Sequence, residues 1–136
     1  MYNIYMRIIS VEDDTVNDPC MITPFFIVHL LAGIWLTSLL KTFFPSIKNV
    51  LLWVVLLHTV YEIKDMYVNY ILKYNTIYTN SSWWNSIGDT IAVIIGYYAY
   101  QQLPLPLSFT FITVLFALVS AIGWGTVVLI DKSSKT

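Results

Sequence analysis

Four long apolar stretches, separated by short polar or proline-containing breaks, set the pattern of this chain. They cover 25–44, about 50–70, 87–103 and 107–130. An α-helix needs roughly 20 mostly apolar residues to cross the hydrocarbon core of a bilayer, and a proline can end such a helix. The pattern therefore predicts an all-α, polytopic membrane protein with four transmembrane helices, of which the third is the shortest.

The second span changes character part-way along its length. At 100° per residue, four polar side chains fall within about 60° of one another on this helix. They are His58, Glu62, Asp65 and Asn69. Apolar residues continue on the opposite side, so we expect an amphipathic extension of this helix that lies against the interface or the bundle. Ionisable groups that face inward from a membrane helix are costly, and they therefore point to function.

The first and third spans each carry one small or polar face. Gly33 lies one turn beyond His29 in the first span, and Gly88, Ala92 and Gly96 form a ridge in the third. Small residues at this spacing let helices approach closely. If the three faces share a centre, six side chains meet there: His29, His58, Glu62, Asp65, Asn85 and Asp89.

Several uses of these groups remain open. His58 and Glu62, four residues apart on a helix, can both reach one metal ion, and His29 with Asp89 could complete its shell. The same groups suit acid–base chemistry. A phosphate head group is a third ligand, with Lys64 or Lys73 as its cationic partner. In lipid, such groups also serve as interhelical hydrogen bonds worth roughly 0.5–2 kcal/mol each.

Composition narrows the class of protein. Hydrophobic residues make up 57% of the 136 residues and charged residues 11%, against about 25% charged in soluble domains. The net charge of −1 and the lack of a basic run argue against a nucleic-acid partner. The single cysteine, Cys20, excludes an intramolecular disulfide and a cysteine-based zinc cluster. No cofactor is expected.

Polar segments flank the transmembrane domain, which we place at residues 22–130. Residues 1–21 form an acidic tail, and residues 131–136 a short C-terminal one. The acidic tail lacks the basic head of a signal peptide, so we expect the first apolar run to be retained. With four spans, one side of the membrane would carry Lys64, Lys73, Lys132 and Lys135, against Lys41 and Lys48 on the other. The positive-inside rule then predicts that both ends are cytoplasmic.

Three segments carry a resemblance to a known family. They are F-x2-H-x3-G in span one, VYEIKD in span two, and WNSIGDTIAVIIGYYAYQQLP from Trp84 to Pro104. This pattern, over roughly residues 25–115, resembles uncharacterised bacterial integral membrane proteins related to the VanZ-like families. The chain departs from it after span two, where an expected arginine-rich piece is only Lys73-Tyr74-Asn75, and in the last span, where an expected acidic residue is absent.

The resemblance implies a polytopic helical membrane protein without an assigned reaction. It also implies motif positions at His29, Gly33, Glu62, Asn85, Asp89 and Gly96. Our leading prediction is an integral membrane protein whose interior polar site binds a lipid head group or small polar ligand. An intramembrane enzyme, with or without a metal, is the first rival. A structural or assembly protein of a viral envelope or capsid-associated membrane is the second, and a homo-oligomer is compatible with each.

Overall fold

A computed structural model describes residues 7–9, 20–70, 82–103 and 108–134 of the chain. Within these ranges the chain forms four α-helices and two short strands that pair in parallel. The strands are β1 (Arg7–Ile9) and β2 (Cys20–Ile22), and the helices are α1 (Phe26–Phe43), α2 (Val50–Tyr70), α3 (Trp83–Gln102) and α4 (Phe109–Ser134). The predicted all-α class is confirmed for the body of the described chain, with the strand pair ahead of the first helix.

Local sequence explains where the helices begin and end. Pro45 follows α1 almost at once, and a proline cannot continue a helix. At the start of α3, the Ser82 hydroxyl accepts a hydrogen bond from the Asn85 backbone N–H at 3.1 Å. Serine is a favoured residue at this position because its oxygen satisfies a backbone donor that lacks a helical partner.

Helices α1 and α3 run side by side in the same direction, with their backbones in contact. A Cβ added to Gly33 would overlap the carbonyl of Val93, and one added to Gly96 would overlap the carbonyl of Leu30. That Cβ on Gly96 would also lie 3.1 Å from the Cα of Gly33, so the two glycines face each other. We call this contact of Gly33, Val93 and Gly96 the α1–α3 seam.

The other two helices run antiparallel to this central pair. Contacts between α2 and α3 join Glu62 to Ser86 and, one turn away on each helix, His58 to Thr90. The N-terminal ends of α1 and α3 therefore lie beside the C-terminal half of α2.

Helix α4 packs against α1 around the side chain of Trp35. The Trp35 indole Nε1 donates a hydrogen bond to the Thr113 hydroxyl at 3.0 Å. The same ring stacks on Phe116, with ring centroids 5.4 Å apart, and on Phe109 at 6.4 Å.

The described residues bury more polar side chains than apolar ones. The buried apolar residues are Cys20, Leu40, Val54, Ala92, Val93 and Ile112. The buried polar residues are Thr23, Thr37, Ser38, His58, Glu62, Ser82, Asn85 and Asp89. Meanwhile α2 exposes a continuous apolar face that includes Leu52, Leu56, Val60 and Ile63. Soluble domains rarely expose such a surface unless it binds a membrane or a partner.

One described helix is long and apolar enough to cross a membrane. It is α1, with 18 residues, a mean hydropathy of 1.6 and 22% of its residues buried. In α4 the apolar segment among the described side chains is Phe109–Gly123, and α2 carries Glu62, Lys64 and Asp65 along with its apolar outer face. The described structure thus supports one candidate membrane span, and the four predicted spans remain a prediction.

The predicted extension of the second span is partly described. Helix α2 continues without a break to Tyr70, so the residues after the apolar half belong to the same helix. The remainder of the extension, including Lys73, lies outside the described residues.

Candidate functional site

Three side chains from two helices direct one nitrogen or oxygen atom each to a common point. His29 of α1 brings Nδ1 to 3.1 Å from Nε2 of His58, which lies on α2. Glu62, one turn further along α2, places Oε1 at 3.2 Å from His58 Nε2 and 4.0 Å from His29 Nδ1. All three atoms lie within 4.8 Å of one another, so these residues could hold a metal ion.

Helix α3 supplies a second layer of groups behind these three side chains. Asp89 Oδ2 lies 3.4 Å from His29 Nε2, the ring nitrogen that faces away from the common point. The Ser86 hydroxyl donates a 2.6 Å hydrogen bond to Glu62 Oε2. Thr90 Oγ1 lies 3.4 Å from His58 Nδ1. We call these six residues the polar cluster: His29, His58, Glu62, Ser86, Asp89 and Thr90.

The groups of this second layer can each accept a hydrogen bond from one imidazole ring. The Thr90 hydroxyl proton is donated to the Ser86 carbonyl at 2.8 Å, so towards His58 the Thr90 oxygen acts as an acceptor. In the tautomer that uses this acceptor, His58 Nδ1 carries the ring proton and Nε2 presents a lone pair. A carboxylate only accepts, so the His29 tautomer that pairs with Asp89 carries its proton on Nε2 and leaves the lone pair on Nδ1.

This arrangement makes the common point of the polar cluster strongly attractive to a cation. With these two tautomers, three acceptor atoms face it: His29 Nδ1, His58 Nε2 and Glu62 Oε1. Acceptors 3.1–3.2 Å apart repel one another unless a proton or another cation lies between them. Glu62 and Asp89 are also buried, with side chains 8% and 4% exposed. A buried carboxylate needs a partner to offset its lost hydration.

The polar cluster occupies the end of the bundle where α1 and α3 begin. His29 lies in the first turn of α1, and Ser86 and Asp89 lie in the first two turns of α3. Helix N-termini carry a partial positive charge, which stabilises nearby carboxylates by about 0.3–1 kcal/mol each. Two helix starts therefore help to hold Glu62 and Asp89 in this part of the bundle.

Asn85 lies one turn before Asp89 on the same face of α3. It is 6% exposed, and its amide Nδ2 has no hydrogen-bond partner among the described residues. A buried amide donor of this kind costs about 1–3 kcal/mol unless it is satisfied. Asn85 is thus buried, but the described contacts do not join it to the polar cluster.

The structure brings together four of the six side chains for which convergence was predicted: His29, His58, Glu62 and Asp89. Asp89 acts behind His29 rather than among the groups that face the common point. Asp65 does not converge, because it lies one turn beyond Glu62, opposite the place where α3 begins. Its carboxylate is 34% exposed and pairs with Lys64.

Of the two lysines predicted as anion partners, Lys64 is described, and it does not face the polar cluster. The Lys64 side chain is 55% exposed, pairs with Asp65, and places its ammonium 4.0 Å from the centre of the Tyr61 ring. Lys73 lies outside the described residues.

Sequence reasoning missed Ser86 and Thr90. Both were present in the motif that carries the family resemblance, yet neither is ionisable and neither was assigned a role. Their spacing of four residues puts them on one stripe of α3, next to the stripe of Asn85 and Asp89. A search for hydroxyl pairs at helical spacing beside the ionisable residues would have found them.

Comparison with known proteins adds no relative: no protein-family model, curated protein or solved structure matches the chain. The similarity to the VanZ-like families therefore stays a prediction.

Proposed function

We propose that this chain is a multi-pass membrane protein whose polar cluster is an interior binding site for a small positively charged ligand. The observation that carries the proposal is the convergence of three potential ligand atoms, from His29, His58 and Glu62, on one point inside the bundle. The function is therefore a binding function built between three helices, close to one face of the membrane.

Three features support the membrane part of the proposal. Helix α1 meets the length and hydropathy of a span. The interior of the described bundle is polar while the outer face of α2 is apolar, which suits a lipid surround. The helices alternate in direction, as expected for four successive crossings that bring both ends of the described bundle to one side. With the lysine distribution, this side is assigned to the cytoplasm.

A cationic ligand fits the site better than the anionic lipid head group of our leading sequence prediction. Two carboxylates, those of Glu62 and Asp89, belong to the polar cluster, whereas Lys64 is directed to Asp65. A phosphate would meet like charge without a facing ammonium group, and like charges at close range are unfavourable.

A topology experiment tests the membrane part. A single cysteine is placed at Ser46, an exposed position between α1 and α2, in a Cys20→Ser background, and each terminus carries an epitope tag. In sealed vesicles, we expect a membrane-impermeant maleimide to reach Ser46→Cys only from the side opposite to both tags. Labelling from the same side as the tags, or recovery of the protein without membranes, would contradict four spans.

Native mass spectrometry tests the binding part. The detergent-purified protein is compared with Glu62→Gln and with Asp65→Asn, a matched carboxylate-to-amide change on the same helix. We expect an additional mass on the wild type and on Asp65→Asn that is lost from Glu62→Gln, with helicity unchanged by circular dichroism. A ligand-free mass for all three proteins would instead indicate that the polar cluster only joins the helices.

A further inference from the structure

Two of the three distances between the facing atoms of the polar cluster are close to those of a metal coordination shell, and the third is longer. Zinc binds nitrogen and oxygen ligands at about 2.0–2.1 Å, so neighbouring ligands of a tetrahedral ion lie about 3.3–3.4 Å apart. The three facing atoms of His29, His58 and Glu62 are separated by 3.1, 3.2 and 4.0 Å. A movement of a few tenths of an ångström would place all three at bonding distance from one ion.

The same distances, together with the types of ligand atom, argue against other cations. An ammonium group that donates hydrogen bonds of about 2.8 Å in tetrahedral directions needs acceptors about 4.6 Å apart, which is wider than any of these three separations. Calcium and magnesium prefer oxygen ligands in shells of six or more. Two imidazole nitrogens and one carboxylate oxygen are instead a ligand set of first-row transition metals and zinc.

The second layer of the polar cluster matches what metal ligands require. A ligating histidine almost always donates its other ring N–H to a carboxylate, carbonyl or similar acceptor, which fixes the ring and its tautomer. Asp89 accepts in this way behind His29, and Thr90 is in position to do so behind His58. Ser86 holds the oxygen of Glu62 that does not face the common point. Each of the three ligands is thus oriented by one residue of α3.

We infer that the ligand of the polar cluster is a single divalent transition-metal ion of the zinc class, bound by His29 Nδ1, His58 Nε2 and Glu62 Oε1. The inference rests on the proposed binding function and names its ligand. Three protein ligands leave one position of a tetrahedral ion to water or to a bound molecule, which is the pattern of reactive zinc sites, whereas structural sites use four. Asp89, Ser86 and Thr90 are positioning residues in this assignment.

Metal analysis of the full-length protein tests the inference directly. The protein is purified in detergent, stripped with a chelator and titrated with Zn²⁺, and separately with Co²⁺, whose visible absorption reports tetrahedral coordination. We expect one ion per chain with a tetrahedral Co²⁺ spectrum. We expect stoichiometric binding to be lost in His58→Ala and Glu62→Gln, and to be retained in Asp65→Asn. Asp89→Asn keeps the three ligands, so it should weaken binding roughly 10–100-fold without abolishing it.

Each other outcome overturns the inference in a distinct way. A wild-type protein that takes up neither ion, or a Co²⁺ spectrum of octahedral type, would exclude a tetrahedral site whether or not the variants fold. Unchanged stoichiometry in both ligand variants would place the metal elsewhere. If the wild type binds no metal but still carries another Glu62-dependent mass, the inference fails and the proposed function stands. If it carries neither, both fail.

Discussion

Helix α3 meets its two neighbours in opposite ways. Towards α1, the α1–α3 seam holds the helices together because side chains are absent at Gly33 and Gly96, and the backbones touch. Towards α2, contact depends on particular polar side chains, such as Ser86 against Glu62. The first contact fixes how close the helices lie, and the second uses that closeness to build the polar cluster. Close packing on one face of α3 thus positions the polar side chains on its other face.

The largest expected effect comes from adding a side chain at the α1–α3 seam. In Gly96→Ala the new Cβ would overlap the Leu30 carbonyl, and backbone atoms cannot move aside cheaply. Overpacking of this kind typically costs about 1–3 kcal/mol of unfolding free energy. The matched control is Gly125→Ala, since nothing lies within 4 Å of a Cβ there. We expect Gly96→Ala to unfold at lower temperature in detergent and Gly125→Ala to be neutral or stabilising. Equal effects would contradict the close contact.

Removal of a positioning hydroxyl should affect binding more than folding. In Ser86→Ala, Glu62 Oε2 loses its 2.6 Å hydrogen bond and the carboxylate becomes less well oriented. We expect metal affinity to fall roughly 10-fold or more, as for other groups behind metal ligands, with a small change in thermal stability. Thr59→Ala is the control, because among the described residues its hydroxyl bonds to the Val55 carbonyl of its own helix and not to the polar cluster. Unchanged affinity in Ser86→Ala would remove α3 from the site.

The pH dependence of binding should distinguish the polar cluster from the seam. A protonated imidazole cannot bind a metal, and both His29 and His58 are assigned as ligands, so metal affinity should fall on acidification. The α1–α3 seam contains no ionisable group, so the helicity of the protein should change little over the same pH range. Parallel Co²⁺ titrations and circular dichroism measure the two quantities. An affinity that is independent of pH would argue against histidine ligands.

A smaller effect is expected at the contact between α1 and α4. Trp35→Phe keeps a ring that can stack on Phe116 but removes the indole hydrogen bond to Thr113. Side-chain hydrogen bonds between membrane helices average about 0.6 kcal/mol, so the loss of stability should be of this order, with no change in ligand binding. A double-mutant cycle with Thr113→Val measures the coupling. Loss of binding in Trp35→Phe would show that the site depends on α4 as well.

The smallest expected effect is that of Lys64→Ala. Lys64 is directed to Asp65 and Tyr61, away from the polar cluster, so ligand binding should be unchanged in the same titration. A large loss of affinity would restore the prediction of an anionic head group with Lys64 as its partner.

Helical periodicity predicted much of this picture. The four helices lie where the apolar stretches and prolines place them. The spacing of His58 and Glu62 was enough to put both on one face of α2, and the small residues of the third span were enough to predict a closely packed ridge, which faces α1 and β2. These features depend only on positions within one helix, and a rotation of 100° per residue decides them.

Tertiary structure decided which helical faces meet and how the helices are shifted along their axes relative to one another. Contact through Gly33 and Gly96 sets α1 and α3 in a register that brings His29 to Asp89. The antiparallel register of α2 and α3 places Glu62 against Ser86, whereas Asp65, one turn further along α2, pairs with Lys64. The position of a residue within a helix fixes the direction of its side chain around the helix axis. Only packing against neighbouring helices fixes how far one helix is shifted along its axis relative to another, and this shift determines which polar groups form the site.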